Sequence, residues 1–274
     1  MNYLATPNSY INVNGQRIAY REAGTPEGTP LVMLVHLAAT LDQWDPKLVD
    51  LLARHQHVIM LDLPGVGASE GAAPATLPEA ARQTIDIIHA LGYQRVNLLG
   101  LSMGGMIAQE VVRLDSSLVQ RLILVGTAPR GGEGVKQVVG TTFKHLLHSL
   151  IRRQDEKRYI FYPVHPESIA REVLGRMNSR DKAYRDQKME LSSFFAQLKA
   201  IHLWGKQPQD TLEHITVPTL IVNGDDDRMI PTSNSYTMHE KIKDSKLIIY
   251  PSAGHGSLFQ YADEFAQAVQ EFLS

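Results

Sequence analysis

The run VNLLGLSMGGMIAQEVV, residues 96–112, sets one serine, Ser102, between Gly100 and Gly104 where an apolar stretch gives way to helical spacing. A serine hydroxyl is a poor nucleophile until a base removes its proton, and His255 is the histidine best placed to be that base. It stands in KLIIYPSAGHGSLF, in a Gly-flanked loop directly after the last apolar run and before the last helical pattern. The base in turn needs an acid to set its tautomer and to stabilise its charged form. The loop after TLIVNG supplies three candidates, Asp225, Asp226 and Asp227, whereas the loop after RLILVG reads TAPRGG and has no carboxylate near its start. Together these residues have the makings of acyl transfer through a covalent serine intermediate. A plain strand-to-helix turn and turn-capping aspartates are the competing structural reading.

The other histidines carry less. His55 and His57 flank a strand start, His89 lies within a helical pattern, and His145 and His148 are spaced i, i+3. Two metal ligands could use that last spacing, but no third ligand accompanies them, so the pair reads as solvated or packed.

The elements needed to position such residues are legible. YINV and QRIAY flank Asn14-Gly15, a dipeptide suited to a tight hairpin, and the near-continuously apolar runs LVMLVH, HVIMLDL, VNLLGL, RLILVG, PTLIVNG and KLIIYP follow. Such runs predict parallel strands buried on both faces. Helical spacing over 77–91, 105–114 and 258–273 alternates with them. This strand-helix-strand order predicts an α/β fold with a doubly wound, mostly parallel sheet and right-handed crossovers. Ser102 and His255 then both occupy loops at strand carboxyl ends, where open parallel sheets hold their ligands. The gap between Gly126 and Thr219 is far longer than an ordinary connection. Its three apolar stripes predict a helical cap over 129–211 inserted into a core of 1–128 and 212–274.

Composition narrows the function classes. Lys plus Arg is 27 and Asp plus Glu is 29, a net charge of −2, which gives no basic excess for a nucleic-acid partner. The absence of cysteine excludes disulfides and a thiolate nucleophile. No run approaches a membrane span and no signal peptide is evident, so a cytoplasmic monomer or homodimer is expected.

The order serine, aspartate, histidine over these strands resembles the α/β-hydrolase family. In that family the acid sits in a Gly-x-x-Asp-x-x-x-Pro loop; Gly224, Asp227 and Pro231 are similar to it, which selects Asp227. DLPGVGAS, residues 62–69, resembles the family's turn after its fourth strand, where Asp62 would be structural. One departure stands out. The family has His-Gly after its third strand and the next residue donates a backbone N–H to the oxyanion, but here the segment is His36-Leu37-Ala38. By position the oxyanion donors are the amides of Ala38 and Met103, with His36 bracing the loop.

The resemblance implies hydrolysis of a small carboxylic ester or lactone, with no metal and no organic cofactor. Cofactor-free perhydrolases of haloperoxidase type, carbon–carbon bond hydrolases and a ligand-binding receptor on the same scaffold remain alternatives. Phe143, Phe161, Tyr162, Phe194, Phe195 and Trp204 could line an apolar acyl pocket or pack the cap. Phe194 and Phe195 point about 100° apart on a helix, so at most one should face the substrate and the other should support stability. Trp204 is expected to fasten the cap. The cations Arg152, Arg153, Lys157 and Arg158 read as a solvated helix face.

Overall fold

A computed structural model describes residues 2–152, 157–164 and 167–274. The chain opens with a hairpin of β1 (Ser9–Val13) and β2 (Gln16–Ala23), turned by Asn14 and Gly15 at φ 52° and 82°. Next come β3 (Leu31–Leu34), α1 (Pro46–Leu52), β4 (Val58–Leu61), α2 (Leu77–Ala90), β5 (Val96–Leu101), α3 (Met103–Leu114) and β6 (Val119–Val125). The insertion carries α4 (Val138–Arg152), α5 (Lys157–Phe161), α6 (Ser168–Asn178) and α7 (Leu191–Gly205). The chain closes with β7 (Thr219–Gly224), α8 (Ser233–Lys241), β8 (Ser245–Tyr250), α9 (Ser257–Gln260) and α10 (Ala262–Leu273).

One sheet runs in the order β1-β2-β4-β3-β5-β6-β7-β8, parallel throughout except where β2 meets β1 and β4. The continuous apolar runs follow from its two covered faces. Val32, Leu34, Leu98, Leu122 and Leu124 point to the side of α2 and α3, while Leu31, Met33, Leu99, Ile123 and Val125 alternate to the side of α1 and α10. The order reverses at β3, which lies between β4 and β5. A crevice therefore opens at the carboxyl ends of β3 and β5, the place where doubly wound sheets hold ligands.

Two boundaries differ from the periodicity. Helix α3 begins at Met103 rather than 105, because Ser102 already stands at the cap position. The pattern over 258–273 is broken at Tyr261, whose ring stacks on Tyr250 with centroids 4.6 Å apart and whose hydroxyl donates to the Pro251 carbonyl. Arg153 lies outside the described residues, and Arg158 is ion-paired with Glu167. Among the described residues, no helix is long and apolar enough to cross a membrane.

The insertion is fastened by polar contacts invisible to hydrophobic periodicity. Arg176 of α6 binds Asp45, the N-cap of α1, through Nε at 2.9 Å and Nη2 at 2.5 Å. Trp204 is buried and donates to Glu110 of α3 at 2.9 Å, tying α7 to the core. Arg21, fully buried, reaches Asp42 at 2.8 Å and donates to the Tyr184 carbonyl at 3.0 Å.

Beside that arginine, the buried Asp62 meets Asp186 of the insertion. Both carboxyls accept from the Leu41 N–H, at 3.1 and 3.3 Å, and a Cβ on Gly67 would strike an oxygen of each. Burial pushes the Asp62 carboxyl well above the usual carboxylate range, the hydrogen bond and charge of Asp186 push it further, and Arg21 only partly offsets them. The shift favours the protonated form of Asp62, whose proton would then lie between the two carboxyls. An acid raised on folding contributes stability that is full below its unfolded pKa and is lost as pH rises through the folded value. In Asp62→Asn the amide keeps both contacts without a titrating proton. Its Tm should match the parent near about pH 4 and exceed it by a few degrees by about pH 8. Melting curves across that range check this, and parallel pH profiles for the two proteins would overturn the shared proton.

Candidate active site

Strand β5 delivers Ser102 into the crevice. Its amide donates to the Val125 carbonyl at 2.8 Å, continuing the β5–β6 ladder, and its carbonyl accepts from Thr127 Oγ1 at 2.8 Å. Between these anchors the backbone is forced to φ 56°, ψ −115°, a conformation that L-residues hold only where the surroundings impose it. A Cβ at Gly100 would run into the Gly104 carbonyl, and one at Gly104 would run into that of Leu34. The two flanking glycines are thus what let the strand turn directly into a helix. Ser102 ends up above the N-terminus of α3, whose free N–H groups and dipole favour negative charge.

The loop after β7 assigns its three aspartates different work. Asp225 accepts from the Ala253 N–H at 3.2 Å and so braces the histidine loop. Asp226 turns outward to an exposed ion pair with Arg228 at 2.7 Å. Asp227 turns inward: Oδ1 accepts from the amides of Met229 and Ile230 at 2.9 and 3.0 Å, and Oδ2 lies 2.8 Å from His255 Nδ1. Both partners of that last contact are buried. Because the carboxylate accepts, Nδ1 carries the proton and Nε2 keeps its lone pair.

Ser102 and His255 line one cavity of about 220 Å³. Val138, Leu146, Ile160, Ile201 and Ile230 make it mostly apolar. The site therefore joins a hydroxyl on a strained turn, a buried histidine with its basic nitrogen free, and a carboxylate behind it. That is the equipment for attack on an acyl carbon. Among the described residues, no group of three or more His, Asp or Glu side chains could hold a metal. His148 packs edge-on against Tyr159, and burial lowers the His145 pKa.

Comparison with known proteins agrees with the fold. Residues 29–261 match the alpha/beta hydrolase fold family. The chain belongs to that family. A 2-hydroxy-6-oxo-6-(2'-aminophenyl)hexa-2,4-dienoic acid hydrolase of Metapseudomonas resinovorans is 28% identical over 97% of this chain and 90% of its own. A poly(3-hydroxyalkanoate) depolymerase of Ectopseudomonas oleovorans is 29% identical over 91% of this chain and 86% of its own. An alpha/beta hydrolase fold protein from Chitinophaga pinensis superposes with a TM-score of 0.93 at 31% identity, covering 100% of this chain and 99% of its own.

Within this α/β-hydrolase the loop after β3 departs from expectation. Ala38 stands at φ 61°, and its N–H donates at 3.0 Å to Oε1 of Gln197, a buried residue of α7. The amide that position assigns to the oxyanion is thus already occupied by the insertion. Met103, at the first position of α3, has its N–H committed to no acceptor among the described residues. His36 Nδ1 donates to the Leu37 carbonyl at 2.8 Å and so braces its own loop.

The insertion also supplies what sequence named only as one of several aromatics. Phe161 packs edge-on against His255 at 5.4 Å and against His36 at 5.1 Å, and the carbonyls of Ile160 and Phe161 accept from the amides of His255 and Gly256. The adjacent Phe161-Tyr162 pair gave no signal for this choice. Of the α7 phenylalanines, Phe194 lines the cavity and Phe195 is 53% exposed. Phe195 therefore does not have the stabilising role expected of the second ring, since its helix face meets solvent. Phe143 is likewise half exposed, while Tyr162 and Trp204 are buried packing. Phe194→Ala should move acyl preference toward longer chains by about tenfold or more in relative kcat/KM, while Phe195→Ala should change neither preference nor Tm appreciably. Rates over an acyl series, with a melting curve for each variant, decide between these outcomes.

Proposed function

We propose that this protein hydrolyses a small carboxylic ester or lactone through an acyl-enzyme on Ser102. The observation carrying this reading is the 2.8 Å contact between Asp227 and His255, beside a serine on a strained turn in the same apolar cavity. Ser102 Oγ attacks the carbonyl carbon while His255 Nε2 takes its proton, and Asp227 stabilises the imidazolium. The oxyanion forms against the Met103 N–H at the start of α3. The Ala38 amide joins it only when Gln197 gives up its bond. His255 then protonates the leaving alcohol, and water activated by the same nitrogen releases the acid. The inserted helices act as a cap that shapes the acyl pocket.

A second reading, cleavage of a carbon–carbon bond next to a ketone, uses the same serine. The similarity to a protein named for an oxo dienoic acid favours keeping it. A panel of chromogenic esters, lactones and one oxo dienoic acid, with Ser102→Ala as blank, tests both readings. A chromophore burst equal to the enzyme concentration supports the acyl-enzyme. Ester cleavage matching the blank would retire the first reading, and turnover of the oxo acid alone would install the second.

A further inference from the structure

The cavity at Ser102 shares a wall with another chamber. Ala38, Gln43 and Phe194 line both, and the second, of about 470 Å³, is walled by the 40–43 turn, the end of α6 and the extended 185–191 segment. The two spaces differ in character. Aliphatic side chains surround Ser102, whereas Asp42, Arg180, Arg185, Asp186 and Lys188 bring polar and charged groups to the second chamber.

Gln43 stands at the junction, and its carboxamide is held from one end only. Oε1 accepts from the Thr40 N–H at 2.6 Å and from Thr40 Oγ1 at 3.1 Å, closing a capping box over the 41–43 turn. A backbone N–H can only donate, so the oxygen must be the end that faces it, and the orientation of the amide is decided chemically. That leaves Nε2, with two N–H groups, making no hydrogen bond among the described residues. A fixed donor without a partner, on the wall of an apolar cavity where it meets a polar one, is suited to recognise an acceptor on a ligand. The cap fixes its position, so little side-chain freedom is lost when that bond forms.

We propose that Gln43 is a specificity residue whose Nε2 donates to a carbonyl or hydroxyl oxygen carried on the substrate's acyl chain. The substrate is then bifunctional: its reacting carbonyl sits at Ser102 and a second oxygen function lies toward the polar chamber. This rests on the acyl-enzyme reading above and narrows it to oxygenated acyl groups rather than plain alkyl ones.

The test compares nitrophenyl esters of straight-chain acids with oxo analogues of equal length, in which a ketone replaces one methylene at successive positions. The parent should favour one oxo ester by about tenfold or more in kcat/KM, since a site built to bind an oxygen discriminates against its absence. Gln43→Glu keeps the oxygen that closes the capping box and replaces the donor with an acceptor. It should abolish the preference of the oxo ester over the plain ester while leaving Tm in place. Gln43→Met, which lacks both groups, should abolish it too. A measurement on the parent alone covers the case in which the variants do not fold. The free oxo acid should inhibit more tightly than the plain acid by a similar factor. A preference that survives Gln43→Glu, or equal rates and equal inhibition for each pair in the parent, would overturn the assignment of Gln43. Failure of every ester above the Ser102→Ala blank would instead remove the acyl-enzyme reading on which it rests.

Discussion

Ser102→Ala should lower kcat by about 10⁴ to 10⁶ without unfolding the chain, the range seen when a hydrolase loses its nucleophile. The change deletes one oxygen. The turn itself is held by bonds the substitution leaves untouched: the Ser102 amide to the Val125 carbonyl, Thr127 Oγ1 to the Ser102 carbonyl, and the close passage of Gly100 and Gly104. Alanine has the same backbone restrictions as serine at φ 56°, so Tm should stay near that of the parent. Burst kinetics on a chromogenic ester, with the Tm recorded for both proteins, make the comparison. A variant that melts with the parent and still turns over at its rate would refute Ser102 as the nucleophile.

Asp227→Asn should cost about 10⁴ in kcat, because the amide reverses the tautomer of His255. The Asp227 side chain has two fixed obligations. Oδ1 accepts from the amides of Met229 and Ile230, and Oδ2 meets His255 Nδ1. In asparagine the remaining oxygen stays with the two backbone N–H groups, so the NH₂ faces the histidine. Nδ1 must then accept, the ring proton moves to Nε2, and no lone pair remains to receive the serine proton. Asp226→Asn removes only an exposed ion pair with Arg228, of the kind worth about 0–1 kcal/mol, and should leave kcat within about threefold. Asp225→Asn retains an oxygen for the Ala253 N–H and should behave like Asp226→Asn. Single-turnover rates for the three variants rank them. If Asp226→Asn proved the damaging one, the assignment of the acid within this loop would fail.

Much of this protein follows from local chemistry in its sequence. Strand burial was readable because both faces of a parallel sheet are covered, so Leu31 to Leu34 are apolar throughout and Val96 to Leu101 are apolar but for Asn97. The chain order of serine, aspartate and histidine was readable because each falls in a loop directly after a strand, and parallel strands bring those loops to one edge. The hairpin at Asn14-Gly15 was readable because few dipeptides tolerate two successive positive φ angles. Other features depend on where the long insertion passes, and no local rule sets that path. The occupation of the Ala38 amide by Gln197 joins residues 159 positions apart. The meeting of Asp62 with Asp186, the packing of Phe161 on His255 and the outward turn of Phe195 belong to the same class. Periodicity marks which face of a helix is apolar, but it does not say which neighbour that face will meet. The joint at Gln43 is decided by tertiary structure for a further reason. Its capping box with Thr40 is local, yet the free amide gains meaning only where α7 and the 185–191 segment close two chambers around it.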